Sequence, residues 1–513
     1  MADSSTTAPE TLTRQAVRGT SWSAFSSIAR QLLALACSAI LARLLGPEAY
    51  GLMGMVTLIA VFLYNFRDIG TTTVIIQRPS IDQRLLSTVF WVNCALGLAL
   101  CSVVLCIALP AAHFFKEPRL TRILAVSSLT FVIASIGLVP NAVLTRNMQF
   151  GKLGIVDMCS SIGGYLVAIP CAIAGFGVWS LVFANLTNAI VTTSLNWRLS
   201  GWTPSAVFDM PQLRSVRSFS LNLSGFGLVN YFSRNADNLV VGKFLGESPL
   251  GFYQMAYNLM LYPILNISLL ISQVLRPAFA KIQADDERFR QAYVKSCMLI
   301  GLFTFPIIAG MGILADPLVR ALLGPKWIPA IILFQILAPV GFVQSIHTTV
   351  GQIYVSKGRT DVMFKAGIAT AMVLVPSFLI GVRRGTVGVA SAYAIACLVI
   401  LLYPLFAVPF RLIGLSFSYF IGQLLPQLTI TGVMMGACCC LLAGLELGHI
   451  FNVWIRIVSV IVLGSLTYMT LMIRIRPAVV VYFEETIRQS DFGTLIRALR
   501  WIGLFPDNSP DEA

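Results

Sequence analysis

The stretch LARLLGPEAYGL at Leu41–Leu52 returns two hundred residues later as VGKFLGESPLGF at Val241–Phe252. Leu45 answers Leu245, Gly46 answers Gly246, Gly51 answers Gly251, and Arg43 is matched by Lys243, all at one offset. The correspondence extends outward. Gln77-Arg78-Pro79 resembles Leu275-Arg276-Pro277, and Glu117-Pro118-Arg119 resembles Gly324-Pro325-Lys326. Arg146 and Lys152, in TRNMQFGK, pair with Arg359 and Lys365, in GRTDVMFK, the offset drifting only from 198 to 213. The chain therefore carries one structural unit twice.

Composition says in what solvent that unit folds. Of 513 residues 57% are apolar and only 11% charged, where a soluble protein carries about 25% charged residues. Mean hydropathy is +0.81. Apolar runs of roughly 20 residues, each long enough to cross a bilayer as a helix, recur along the chain, and runs such as LNISLLISQVL are continuously apolar rather than alternating as barrel strands would be. The expectation is an all-α integral membrane protein. The eleven cysteines lie mostly inside apolar segments, as small packing residues do, and make no disulfide framework. Ala34-Leu35-Ala36 could pass for a signal-peptidase site, but the segment belongs to the first span of the repeat and is read as retained.

Fourteen spans are expected, from 20–42 and 49–69 at one end to 418–443 and 453–473 at the other. Loops on the side of the N-terminus collect Arg14, Arg18, Arg78, Arg84, Arg146, Lys152, Lys357 and Arg359, whereas AGFG (174–177) and GESP (246–249) on the other side are poor in charge. Basic loops stay cytoplasmic, so both termini are placed there, and the net charge of +14 is topological rather than a sign of nucleic-acid binding. Six spans per copy put both ends of a copy on one side. This gives two parallel lobes, 1–200 and 201–411, around a central cavity opening alternately to each side. Two extra spans (412–475) add a groove or bilayer contact, and a cytoplasmic tail (476–513) follows. In DFGTLIRALRWIGLF the apolar residues recur at helical spacing, for a helix lying on the inner leaflet or packing on the bundle, with disordered ends.

Ionised groups deep in a bilayer are costly and usually face protein or water. Arg30 in the first span lies on a small and polar stripe with Ser23, Ser27, Ala34 and Ser38. In the seventh span Asn222, Asn230, Ser233, Arg234 and Asp237 fall within about 120° on a helical plot. Arginine keeps its charge and presents a planar fork suited to phosphate oxygens, so Arg30 and Arg234 are candidates for a pyrophosphate, and Asn222, Asn230 and Ser233 for sugar hydroxyls. The structural alternative pairs Arg234 with Asp237, three residues on. Asp68, Asp157 and Asp237 are candidate coupling sites for a proton or cation; because each is near a span end, a local ion pair or contact with water competes with that reading. No ATP-binding loop or zinc motif occurs, and the three histidines are scattered. No catalysis, metal or cofactor is expected.

LARLLGPEAYGLMGMV, TRNMQFGKLG, NYFSRNADNLVVGKFLGESPLGFYQMAYNLM and RPAFAKIQADDERFRQAY together resemble the polysaccharide flippases of the multidrug/oligosaccharidyl-lipid/polysaccharide exporter superfamily, over residues 14–475. The resemblance implies movement of polyprenyl-pyrophosphate-linked oligosaccharide from inner to outer leaflet of a bacterial cytoplasmic membrane. It also implies supply to a polysaccharide polymerase with its chain-length regulator, for O-antigen, capsule or exopolysaccharide. A cation-coupled multidrug antiporter of the same superfamily and a non-transporting scaffold for polysaccharide assembly are the alternatives.

Overall fold

A backbone in hydrocarbon must satisfy its N–H and C=O groups within its own segment, and the apolar runs do so as helices. The computed structural model describes residues 31, 33–64, 66–67, 72, 75–76, 81–209, 231, 234–268, 271, 279, 282–449 and 452–482. Among these no strand occurs, and ten helices are long and apolar enough to cross a membrane. In order, α1 is Leu33–Leu45, α2 Pro47–Tyr64, α3 Gln83–Phe115, α4 Arg119–Ser127, α5 Leu129–Ile136, α6 Leu138–Arg146, α7 Phe150–Ile173 and α8 Val178–Ser200. A helix over 234–245 is α9. There follow α10 (Glu247–Pro263), α11 (Asp286–Ile313), α12 (Pro329–Ser356), α13 (Thr360–Gly381), α14 (Gly385–Ile395), α15 (Leu402–Arg411), α16 (Phe417–Leu447) and α17 (Val453–Ile475).

Side chains start these helices where the chain leaves the apolar phase. Asp82 accepts from the Leu85 N–H at 3.0 Å and Asp285 from Arg288 N–H at 3.0 Å. Asn452 accepts from Trp454 N–H at 2.9 Å. Each occupies a donor that the first helical turn leaves without a carbonyl. Large aliphatic residues such as Leu166, Ile380 and Val399 are more than two-thirds exposed, a cost in water and the normal state of a lipid-facing surface. The structure is a multi-pass helical membrane protein.

The chain divides between Gly251 and Phe252 into two compact units. In the first, α7 and α8 form a close hairpin, Gly164 admitting the Ala184 carbonyl to its face. Phe90, Trp197 and Trp202 pack edge to face, and basic side chains close backbone ends: Arg146 donates to the Ile75 carbonyl at 2.8 Å and Lys152 to the Leu199 carbonyl at 3.1 Å.

The first unit also contains both glycine turns of the opening stretch, at Gly46 and Gly246. Gly46 and Gly246 take φ of 77° and 91°, the left-handed region that glycine enters without strain, and each hands the chain directly to the next helix. The two turns then pack on one another reciprocally. A Cβ on Gly51 would overlap the backbone carbonyl of Glu247, and one on Gly251 would overlap that of Pro47. Since Pro47 and Glu247 stand at the same offset as Gly51 and Gly251, the contact has local two-fold character, and the duplicated sequence is used against itself.

In the second unit α11 is central. Tyr293 packs against Phe279, Phe410 and Phe420. The helices outside the duplication, α16 and α17, close this core: Tyr468 of α17 donates to the Leu302 carbonyl of α11 at 2.9 Å, and Gln427 of α16 is fully buried beside Gly301. They cover α11 and do more than add bilayer contact.

Candidate substrate-binding site

Of the residues singled out in the sequence, Arg30, Asp68, Asn222, Asn230 and Ser233 lie outside the described residues. Arg234 is exposed at the start of the described part of α9. Asp237 lies one turn on and is 3% exposed, its Oδ1 accepting from the Asn238 N–H at 2.7 Å. Asp157 is exposed on α7, its backbone carbonyl accepting from the hydroxyls of Ser160 at 3.1 Å and Ser161 at 2.7 Å.

A different polar constellation is legible in the first unit. In FANLTNAIVTTSLNW of α8, Asn185, Asn188, Thr192 and Asn196 are spaced by three or four residues, which places them on one face of the helix. That face, with α2 and the broken helix α4–α6, lines a partly open cavity of about 560 Å³, within the range of small-ligand sites. Thr57 of α2 and Asn141 of α6 also line it. The stripe escaped the sequence reading, which looked for charges; its signal is amide and hydroxyl periodicity inside an apolar run.

The cavity has three kinds of surface. Amides and hydroxyls supply donors and acceptors, among them Asn196, 2% exposed, whose Oδ1 has no hydrogen-bond partner among the described residues; nor has Ser127 Oγ. Tyr64 and Phe131 form an aromatic wall, ring centroids 4.8 Å apart. The Arg67 guanidinium lies 4.9 Å over the Tyr64 ring, a cation–π contact. No carboxylate stands among the described lining residues.

The second unit fills the equivalent interior. At the offset of the turns, Tyr253 and Tyr257 of α10 occupy the places of Met53 and Thr57, which line the cavity. Gly177 and Gly385 open α8 and α14 with φ of 56° and 72°, and eight residues after each come Asn185 and Tyr393. Tyr253 stacks on Tyr257, 6.2 Å between centroids, and Tyr393 lies 6.2 Å from Tyr257 and 5.8 Å from Phe378. Gln344 of α12 donates to the Tyr257 hydroxyl at 3.4 Å and to the Tyr393 hydroxyl. One copy holds an open polar chamber; the other holds packed tyrosines.

The duplicated turns carry the clearest charge cluster. Arg119 donates to Glu117 from Nε at 2.6 Å and from Nη2 at 2.9 Å, to Glu48 from Nη1, and to Glu247 at 3.5 Å. Glu48 and Glu247 sit in the first turns of α2 and α10, where the helix dipole favours negative charge. The hydrogen bond from Arg119 holds the Glu117 carboxyl below its ordinary range, against the opposing effect of burial.

Three comparisons place this architecture. The profile of a family described as "Polysaccharide biosynthesis protein" matches residues 40–332, more than half of the chain. The lipopolysaccharide biosynthesis protein WzxC of Escherichia coli (strain K12) is 26% identical over 420 residues, 80% of this chain and 85% of its own. The teichuronic acid biosynthesis protein TuaB of Bacillus subtilis (strain 168) is 26% identical over 432 residues, 82% and 88% of the two chains. Among solved structures, lipid II flippase MurJ in an inward closed conformation superposes with a TM-score of 0.71 at 15% identity, over 90% of this chain and 99% of the other, and so shares the fold. On the matched span and the all-helical fold it encodes, the chain belongs to the polysaccharide biosynthesis protein family.

Proposed function

We propose that the chain is a flippase that moves polyprenyl-pyrophosphate-linked oligosaccharide repeat units from the inner to the outer leaflet for O-antigen, capsule or exopolysaccharide synthesis. The family match over residues 40–332 carries this reading. It is supported by relatives named for lipopolysaccharide and teichuronic acid biosynthesis along four-fifths of the chain.

The physical need is plain. Sugar hydroxyls and a charged pyrophosphate cannot cross hydrocarbon without replacing the water they lose, and a membrane-spanning unit with a polar interior supplies that replacement while the polyprenyl tail stays in lipid. The protein transports and catalyses no covalent step. It works by alternating access between the six-span repeats 1–200 and 201–411, in the bacterial inner membrane with both termini cytoplasmic, and delivers to a polymerase and its chain-length regulator. Arg30 and Arg234 hold the pyrophosphate, Asn222, Asn230 and Ser233 meet sugar hydroxyls, and Asp68, Asp157 and Asp237 are the groups available for ion coupling. A drug antiporter that selects cations needs acidic lining, which the described cavity does not have.

Deleting the gene in its own host tests the proposal. Lipid-linked oligosaccharide is expected to accumulate on the inner leaflet, with surface polysaccharide restored by the intact gene but not by Arg30→Ala or Arg234→Ala at equal expression. Unchanged lipid-linked sugar in the deletion strain overturns the function; full restoration by both variants overturns the pyrophosphate assignment alone.

A further inference from the structure

We infer that the chamber lined by α2, α4–α6 and α8 in the first unit is a glycan subsite that takes one or two pyranose rings of the repeat unit, separate from the arginines assigned to the pyrophosphate. This rests on the flippase reading and adds to it the place where the sugar is recognised.

The contrast between the two copies is the first support. Cores are packed to the density of organic crystals, and the second copy shows that this helix arrangement can be packed shut, with Tyr253, Tyr257 and Tyr393 at the register positions of Met53, Thr57 and Asn185. The first copy carries methionine, threonine and asparagine there, each smaller than tyrosine, and about 560 Å³ of space.

The lining chemistry says what enters. Asn196 Oδ1 and Ser127 Oγ belong to lining side chains and have no partner among the described residues, although buried polar atoms are otherwise almost always hydrogen-bonded; this is hydrogen-bonding capacity that a sugar can use. Asn188 and Asn141 add amides, each offering a carbonyl acceptor and an NH₂ donor, which matches the adjacent donor and acceptor of vicinal hydroxyls. Tyr64 and Phe131 supply an apolar wall for the C–H face of a sugar ring. The described lining holds amides, hydroxyls and an arginine and no carboxylate, a set that favours a neutral polyol over a cation. A lipid chain is not either, because it would leave the amides unpaired at a cost of about 1–3 kcal/mol each. Water alone could satisfy the amides, and the experiment separates that case.

The full chain, purified in lipid nanodiscs, is to be titrated with two probes: the lipid-linked oligosaccharide extracted from the host's deletion strain, and undecaprenyl pyrophosphate without sugar. Wild type should bind the sugar-bearing lipid more tightly. Asn188→Ala and Asn196→Ala should each reduce that affinity about fivefold to tenfold, the loss expected for one hydrogen bond, and change the bare carrier by less than about twofold. The double variant Thr57→Tyr with Asn185→Tyr, which copies the second unit's filling, should abolish the preference for sugar while keeping thermal stability. Should Asn196→Ala fail to fold, half-buried Asn188 and the filled variant carry the test.

Variants that bind the sugar-bearing lipid as wild type does overturn the inference and leave the chamber to water. Variants that weaken both probes equally, in step with lost stability, assign the amides a packing role and also overturn it. Wild type binding both probes equally removes the glycan subsite but not the flippase; wild type binding neither removes the flippase reading itself.

Discussion

Gly51 and Gly251 are required where they stand because each faces the backbone of the other copy's turn. A side chain at either must push two helix starts apart, and a peptide carbonyl cannot rotate away as the tip of a flexible side chain can. Gly51→Ala and Gly251→Ala are each expected to destabilise the protein by about 1–3 kcal/mol, the usual cost of overpacking. Gly151→Ala, where a Cβ meets nothing within 4 Å, should be neutral in the same thermal-unfolding series in detergent. Arg119 adds an electrostatic tie whose pH dependence has a definite sign. Because Arg119 lowers the Glu117 pKa from 4.5, the stabilisation is fully present above that ordinary value and disappears as pH falls through the lower, folded one. The stability difference between wild type and Arg119→Ala should therefore stay flat from neutral pH to about 5 and shrink only below the ordinary carboxylate range. A difference that fades between pH 7 and 5 would show the tie to be something other than this carboxylate. The duplicated glycines were visible in the sequence; that they touch each other was not, since an offset says that two turns are alike and nothing about where they meet.

At the scale of elements, the reading succeeded where one strong signal fills a whole segment. Long apolar runs became α3, α7, α11 and α16, because in a bilayer the helix is the local solution whatever the neighbours do. Weaker signals distributed over several helices were lost. The chamber draws Thr57 from α2, Ser127 from α4, Thr130 from α5, Asn141 from α6 and five amides and hydroxyls from α8, with Arg67 beyond the end of α2 as the charge among the described lining, so no one helix declared it. The seventh-span stripe was sought because it carried Arg234 and Asp237, and its remaining members fall outside the described residues. Packing of α16 on α11 was equally unreadable, for it depends on Gly301 giving room to Gln427. Both polar atoms of that amide are buried without a partner among the described residues, an arrangement that costs about 1–3 kcal/mol. Gln427→Leu is expected to raise thermal stability, by about 1 kcal/mol after allowing for the changed shape. A fall of similar size would mean that the amide is satisfied, by water or by chain outside the described residues.

At the scale of the whole molecule, the arrangement across the bilayer follows from charge, which acts over loops rather than within elements. Basic residues recur in the loops at Arg146, Lys152, Lys357 and Arg359, while the turns at 174–177 and 246–249 carry one charge between them. Several of these bases also work locally, Arg146 and Lys152 on backbone carbonyls and Lys357 on Asp286, but helix ends on either side of a membrane offer such carbonyls equally. Local bonding therefore does not account for the difference in charge between the loops, and the retention of Lys and Arg in the cytoplasm predicts that the basic loops are the inner ones. Phe176 in the AGFG turn and Met148 in TRNMQFGK are both exposed, and the intervening α7 (Phe150–Ile173) puts them on opposite faces. In a cysteine-free background, Phe176→Cys should react with a membrane-impermeant maleimide in spheroplasts, and Met148→Cys only after the membrane is opened. The reverse pattern would invert the molecule and put the Arg119 cluster in the cytoplasm.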